Sequence, residues 1–262
     1  MNLVETRDLA IGYGDKILVN NINFRLQEKQ ICCLLGANGA GKSTLTDKVV
    51  KHYLDQGKKI GIVAIDPTSP FSGGAILGDR IRMNDLTLNE NVFIRSMGTR
   101  GSLGGLSKKT ADVVKLMDAF GMDLVIIETV GVGQSEVDIV KNADTTLVVL
   151  VPGLGDDIQA IKAGILEIGD VFAINKADRD GCDRLNVEIE MMLDLDSREV
   201  KWRPPIKRTV ASKDQGVDEL IEALDEHFEY LEDSGELDAR RAERTRDEII
   251  AMINEQIGRY VA

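Results

Sequence analysis

The chain of 262 residues is 43% hydrophobic, enough for one large core, and its 44 acidic against 32 basic residues leave a formal net charge of -12. That surface repels polyanions, which argues against nucleic acid or an anionic membrane as partner, and no apolar run approaches the roughly 18 residues of a membrane span. The N-terminus Met1-Asn2-Leu3-Val4-Glu5 lacks a secretory pattern and the three cysteines suit a reducing compartment, so a cytoplasmic protein is expected.

In chain order, apolar alternation over Val4 to Tyr13 and Ile17 to Leu26 predicts two short strands, a β-appendage ahead of the main body. An apolar strand follows, with Cys32 and Cys33 on opposite faces as reduced packing residues. It runs into Gly36-Ala37-Asn38-Gly39-Ala40-Gly41-Lys42-Ser43, which matches G-x-x-x-x-G-K-[ST] between a strand and a helix. Backbone N–H groups of Gly36, Asn38, Gly39, Ala40, Gly41 and Thr44 are expected to cradle phosphates. Lys42 would neutralise the β/γ oxygens, Ser43 would ligate Mg²⁺, and the helix from Thr44 to Gln56 would aim its positive end at the anion.

A strand over Lys59 to Asp66 completes a βαβ unit, and a Gly/Pro/Ser-rich segment, Pro67 to Gly78, precedes Asp79. Apolar runs at Asn91 to Arg95, Asp123 to Thr129 and Thr145 to Val151 alternate with helical stretches at Ser107 to Phe120, Ser135 to Lys141 and Asp157 to Ile168. Such alternation predicts an α/β fold: a three-layer P-loop nucleotide triphosphatase with a mostly parallel sheet. Asp66 and Glu128 at strand ends, and Asp79 after the long segment, are candidate Mg²⁺ ligands; capping or solvation is the other reading for each. Gly131 would bring a backbone N–H to the terminal phosphate, and Gln134 would either orient the attacking water or lie exposed.

Asp170 to Ile174 reads as a buried strand that delivers Asn175-Lys176-Ala177-Asp178 to a sheet's C-terminal edge, where open α/β sheets bind ligands. Asp178 is suited to guanine, because a carboxylate accepts from N1–H and the 2-amino group, whereas adenine would leave it unpaired. Discrimination of roughly 10⁴-fold is attainable when the wrong ligand strands a buried polar group. Asn175 is expected to tie the loop to neighbouring backbone, and Lys176 to lay its stem over the base. With the P-loop, this motif predicts GTP hydrolysis with GTP/GDP and Mg²⁺ as ligands.

Ile206 to Val210 is the last expected strand, followed by helices over Gly216 to Leu231 and Glu236 to Gly258. The final helix carries dense charge and then Ile249, Ile250, Ile253 and Ile257. It reads equally as a solvated helix docked on its own domain and as a homodimerisation arm. The expected units are an N-terminal β segment (1–30), the nucleotide-binding domain (31–233) and a C-terminal helical arm (234–262). His52 and His227 receive no chemistry.

The stretch Ala64 to Arg80, with Glu128 to Glu136 and Pro152 to Gln159, resembles the MeaB/ArgK-type GTPases, and the likeness covers roughly residues 44 to 262, including Trp202 to Ile206 and the Arg240-Arg241 arm. The resemblance implies slow GTP hydrolysis coupled to an adenosylcobalamin-dependent mutase, methylmalonyl-CoA mutase or a relative, for which such proteins act as chaperones. It also implies that Ala211 and Ser212 touch the base, that Pro67 to Asp79 and Val130 to Asp138 are switches, and that Asp156, Asp157, Gln159 and Lys162 belong to a third switch facing the partner. An ordinary N-capped helix is the other reading of that third segment. Residues 1 to about 45, with Tyr13 placed to stack on adenine, are similar instead to the start of an ABC-transporter ATPase. The absence of a Leu-Ser-Gly-Gly-Gln or Asp-Glu-Pro element, together with Asn175 to Asp178, counts against an ABC-type ATPase subunit, which stays an alternative on Tyr13 and the first 45 residues. The other alternative is an engineered P-loop chimera that binds nucleotide without a physiological partner.

Overall fold

A computed structural model describes residues 4–13, 16–26, 29–66, 84–98, 103–129, 131, 138–153, 167–195 and 201–261. Strands β1 (Val4–Tyr13) and β2 (Lys16–Leu26) form an antiparallel pair of their own, with register irregularities between Thr6 and Gly12. The main body follows: β3 (Gln30–Gly36), α1 (Lys42–Asp55), β4 (Ile60–Asp66), α2 (Asn84–Thr87), β5 (Val92–Gly98), α3 (Leu103–Ala119), β6 (Leu124–Glu128), β7 (Thr145–Leu150), β8 (Val171–Asn175), α4 (Cys182–Leu195), β9 (Ile206–Thr209), α5 (Val217–Ser234) and α6 (Glu236–Val261).

The seven main strands pair in parallel in the order β5-β4-β6-β3-β7-β8-β9. Strands β6, β7 and β8 are buried along their whole length, which is why they read as largely apolar runs and not as alternations. Each face of the sheet carries its own core. On one, Leu45, Val49 and Tyr53 of α1 and Leu220, Ile221 and Leu224 of α5 pack on Cys32, Leu34, Ile60 and Ile62. On the other, Val114 and Met117 of α3 and Leu185 and Ile189 of α4 pack on Cys33, Leu35, Val63 and Ile127. Cys32 and Cys33 therefore do face opposite layers, and all three cysteines are free and buried. Burial, with Asp170 and Asp144 behind it, pushes the Cys32 thiol up to about 12, so it is a packing group and not a nucleophile.

The direction in which strands are added across the sheet reverses about β3, whose neighbours are β6 on one side and β7 on the other. The connections on either side of β3 run in opposite directions across the sheet, a topological switch point, so the P-loop occupies the position where an open α/β sheet binds its ligand.

The opposite edge is braced by charge. Asp123, Asp144 and Asp170 each immediately precede a parallel strand. Asp144, fully buried, receives Arg241 at 2.7 Å and Arg244 at 2.6 Å from α6, and accepts from the Ile31 N–H at 3.1 Å. Asp170 pairs with Arg240 at 3.1 Å and accepts from the Thr146 N–H at 2.8 Å. Arg241 and Arg244 also donate to the carbonyls of Lys29 and Asn142, at 2.5 and 2.6 Å. Beneath this lattice His227, fully buried, meets Thr145 Oγ1 at 2.9 Å and lies between Asp170 and the ring of Trp202. The first half of α6 is thus clamped to the base of β3, β7 and β8. Its second half leaves Ile249, Ile250, Met252, Ile253 and Ile257 about half exposed.

Among the described residues the expected order of strands and helices is present, with two additions. The sequence predicts no helix at Cys182–Leu195, where only Cys182, Leu185 and Ile189 are buried, a stripe too narrow to stand out among the surrounding charges. The single turn Asn84–Thr87 is likewise extra. Most of the segments expected as helices at Ser135 to Lys141 and Asp157 to Ile168 lie outside the described residues.

Candidate functional site

Strand β3 ends at Gly36, where a Cβ would meet the Val149 carbonyl oxygen at 2.5 Å, so no larger residue fits at the exit to the loop. Gly39 and Gly41 then adopt φ of 80° and 84°, a left-handed path open to glycine at little cost, and the chain enters α1. The start of α1 has no side-chain cap, so its first N–H groups are left for another acceptor. An anion is the natural one.

Lys42 is buried and turns its ammonium back over the loop, donating to the carbonyls of Gly36 and, at 3.0 Å, Ala37. One position on, Ser43 Oγ donates to Glu128 Oε1 at 2.6 Å, and Thr46 Oγ1 donates to Oε2 at 3.2 Å. Glu128 ends β6 next to β3 and is 7% exposed, so the strand pairing of Leu34 with Glu128 is what brings the carboxylate to the P-loop. Thr129 continues that strand, donating its hydroxyl to the carbonyls of Leu34 at 3.0 Å and Gly131 at 3.2 Å.

The second motif leaves β8 in the next loop but one. Asn175, 2% exposed, donates from Nδ2 to the Ala40 carbonyl at 2.8 Å. Its Oδ1 accepts from the Ala211 N–H at 3.1 Å and Thr209 Oγ1 at 3.2 Å. Lys176 sits at φ 56° and donates to the Gly39 carbonyl at 2.7 Å, so its ammonium reaches across to the P-loop. Asp178 stands at the mouth, half exposed, with Lys213 at 2.7 Å. That ammonium holds the Asp178 carboxyl below the usual range. Ala211 is buried and Ser212 exposed, both in the short 3₁₀ turn Ala211–Lys213 after β9.

The P-loop, Lys42, Ser43, Glu128, Gly131, Asn175, Lys176, Asp178, Ala211 and Ser212 therefore gather on one edge of the sheet. The backbone of Asp66 ends β4 on the same edge. Asp79, Gln134, Asp156, Asp157, Gln159 and Lys162 lie outside the described residues, as do the Pro67–Asp79 switch, most of Val130–Asp138 and the ring of Tyr13. Thr46 and Lys213 join the site without a motif to announce them. Thr46 does carry a signal, a threonine among Leu45, Val49 and Val50 on the buried face of α1.

The family model described as Methylmalonyl Co-A mutase-associated GTPase MeaB matches residues 1–262. The chain belongs to the MeaB family of GTPases. The match takes in the N-terminal segment that resembles an ABC ATPase. Among relatives, a protein of Pyrococcus abyssi named as a GTPase is 54% identical over 84% of this chain and 69% of its own length. GTPase ArgK of Escherichia coli is 37% identical over 86% of this chain and 72% of its own. The mouse methylmalonic aciduria type A homolog, a mitochondrial protein, is 38% identical over 79% of this chain and 51% of its own. A crystal structure of an LAO/AO transport system kinase superposes with a TM-score of 0.71 at 27% identity, covering 89% of this chain and 70% of that one. Among the described residues of this MeaB-family GTPase, no helix is long and apolar enough to cross a membrane.

Proposed function

We propose that this MeaB-family GTPase binds GTP and GDP with Mg²⁺, hydrolyses GTP slowly, and uses the cycle to regulate an adenosylcobalamin-dependent mutase as its chaperone. The observation that supports the reading is Asn175, whose amide joins the phosphate loop to the Ala211 backbone near Asp178, so both ends of a bound guanine nucleotide would fall within one hydrogen-bonded frame.

The donor set suits Mg²⁺. Ser43 and Glu128 offer one hydroxyl and one carboxylate 2.6 Å apart, with Asp66 and Asp79 as further candidates. A hard ion that keeps several waters and takes phosphate oxygens needs no larger protein cage. When bound, Mg²⁺ would supply charge compensation at the β- and γ-oxygens. Lys42 would exchange its carbonyl acceptors for phosphate oxygens, Gly131 would approach the γ-phosphate, and Gln134 would orient water. Asp178 would accept from the guanine edge, with Lys176 and Ser212 flanking the ring.

Partner contact is assigned to Asp156, Asp157, Gln159 and Lys162, and self-association to the exposed apolar half of α6, in a cytoplasmic homodimer. The reading is supported by the family's description as methylmalonyl Co-A mutase-associated. It is tested by adding a purified adenosylcobalamin-dependent mutase to the GTP-loaded protein: a stable complex and an altered hydrolysis rate are expected, and no association in any nucleotide state would defeat the chaperone assignment.

A further inference from the structure

The loop beside the base subsite is closed on itself. The Val210 N–H donates to the Gln215 carbonyl at 2.9 Å and the Lys213 N–H to the Val210 carbonyl at 2.8 Å, so Ala211 to Asp214 forms a tight knuckle. Asp214 caps it with φ 59°, a left-handed conformation that costs free energy in any residue but glycine and is best tolerated by Asn and Asp. Two attachments on the inner side are clear: the buried Ala211 methyl packs in the same core as Leu45 and Val49 of α1, and the Ala211 N–H bonds Asn175.

A third attachment lies on the outer side. Lys48 Nζ is 3.1 Å from Asp214 Oδ2. Lys48 is on α1, one turn beyond Thr44 and on the same helix face, so this cation continues the line from the phosphate-binding end of α1 toward the base subsite. Its side chain is 26% exposed, against 63% for Asp214, so the lysine is the more enclosed member of the pair.

We infer that Lys48 is a positioning residue for base recognition: through Asp214 it fixes the Ala211–Asp214 knuckle against the phosphate-binding helix, so that phosphate and base subsites keep a set separation. Without this tie the knuckle would keep its own hydrogen bonds and its hold on Asn175, but its outer end, which carries Lys213 to Asp178, would be free to shift. The inference rests on the nucleotide-binding reading above and concerns geometry within it.

The experiment compares GDP and inorganic pyrophosphate binding, each with Mg²⁺, by calorimetry for the wild type, Lys48→Met, Lys48→Arg, Asp214→Asn and the Met/Asn double variant. Asn accepts the left-handed backbone, so Asp214→Asn removes charge without adding strain. Expected is a loss of about two- to fivefold in GDP affinity for Lys48→Met and Asp214→Asn, the scale of a partly exposed ion pair. Pyrophosphate affinity should stay at the wild-type value, the double variant should lose no more than either single, and Lys48→Arg should retain most GDP affinity. Equal losses for GDP and pyrophosphate, fully additive losses in the double variant, or unchanged GDP affinity would each overturn the inference. A wild type that binds ADP as well as GDP would overturn the guanine assignment separately; the same comparison made with ADP would still judge Lys48.

Discussion

Asn175 spans the two halves of the site, its Nδ2 donating to Ala40 of the phosphate loop at 2.8 Å while its Oδ1 accepts from the Ala211 N–H at 3.1 Å. Both of these are backbone groups in a buried region, and the buried Thr209 hydroxyl also donates to Oδ1. Removing the amide strands them, and an unsatisfied buried polar group costs about 1–3 kcal/mol. Asn175→Ala is expected to lower unfolding free energy by about 2–3 kcal/mol in urea and to weaken GDP and pyrophosphate together. That shared loss would distinguish it from the variants of Lys48.

Gly41 lies against the same amide. With φ 84°, and an added Cβ falling only 2.5 Å from Asn175 Nδ2, Gly41→Ala combines backbone strain with a clash at the central link. Nucleotide affinity should fall by at least about tenfold, since strain of this kind costs on the order of 1–3 kcal/mol before the displaced amide is counted. Calorimetric titration with GDP checks it.

At the phosphate-loop end, Glu128, proposed above as a Mg²⁺ ligand, accepts from Ser43 and Thr46 together. Glu128→Gln keeps the shape but removes the charge and turns one acceptor into a donor. The Mg²⁺ concentration that half-saturates GTP hydrolysis should rise by about 10–100-fold, the range seen when groups that orient metal ligands are lost. Thr46→Val, which deletes only a hydroxyl brace, should shift that midpoint less and leave maximal turnover near the wild-type value.

Acid should loosen the basal clamp. Burial alone would raise the Asp170 carboxyl, but His227 and Arg240 outweigh burial and hold it below the usual carboxylate value. A depressed carboxylate stabilises the fold above its unfolded pKa of about 4, and that contribution is lost as pH falls through the lower folded value. Asp170→Asn should therefore be less stable than wild type at neutral pH, and the gap between their urea midpoints should narrow steadily below pH of about 4. Asp144→Ala tests the neighbouring node. It leaves Arg241, Arg244 and the Ile31 N–H without their shared acceptor, and a loss of about 3–5 kcal/mol is expected from urea unfolding.

Much of this is legible in the amino-acid order because the signals are local. The P-loop needs glycine at positions of positive φ and a lysine at a helix start, and Gly39, Gly41 and Lys42 occupy them. Unbroken apolar residues from Leu124 to Ile127 and from Val171 to Ile174 mark buried parallel strands and fix where Glu128 and Asn175 emerge. Contacts set by tertiary geometry are not legible. Nothing local says that Lys213 returns to Asp178, that Lys48 reaches Asp214, or that three arginines of α6 find aspartates at strand starts far earlier in the chain. The narrow buried stripe of Cys182–Leu195 is hidden for another reason: a helix that buries one side chain per turn hardly differs from an exposed loop.

Guanine selection by the loop after β8 is proposed to run through Asp178. Competitive calorimetric binding of GDP and ADP, with Mg²⁺ present, to the wild type and Asp178→Asn tests it most directly. A strong GDP preference that collapses in the variant while pyrophosphate affinity holds is the predicted result. Equal binding of ADP and GDP by the wild type, or a guanine preference that survives Asp178→Asn, would contradict it.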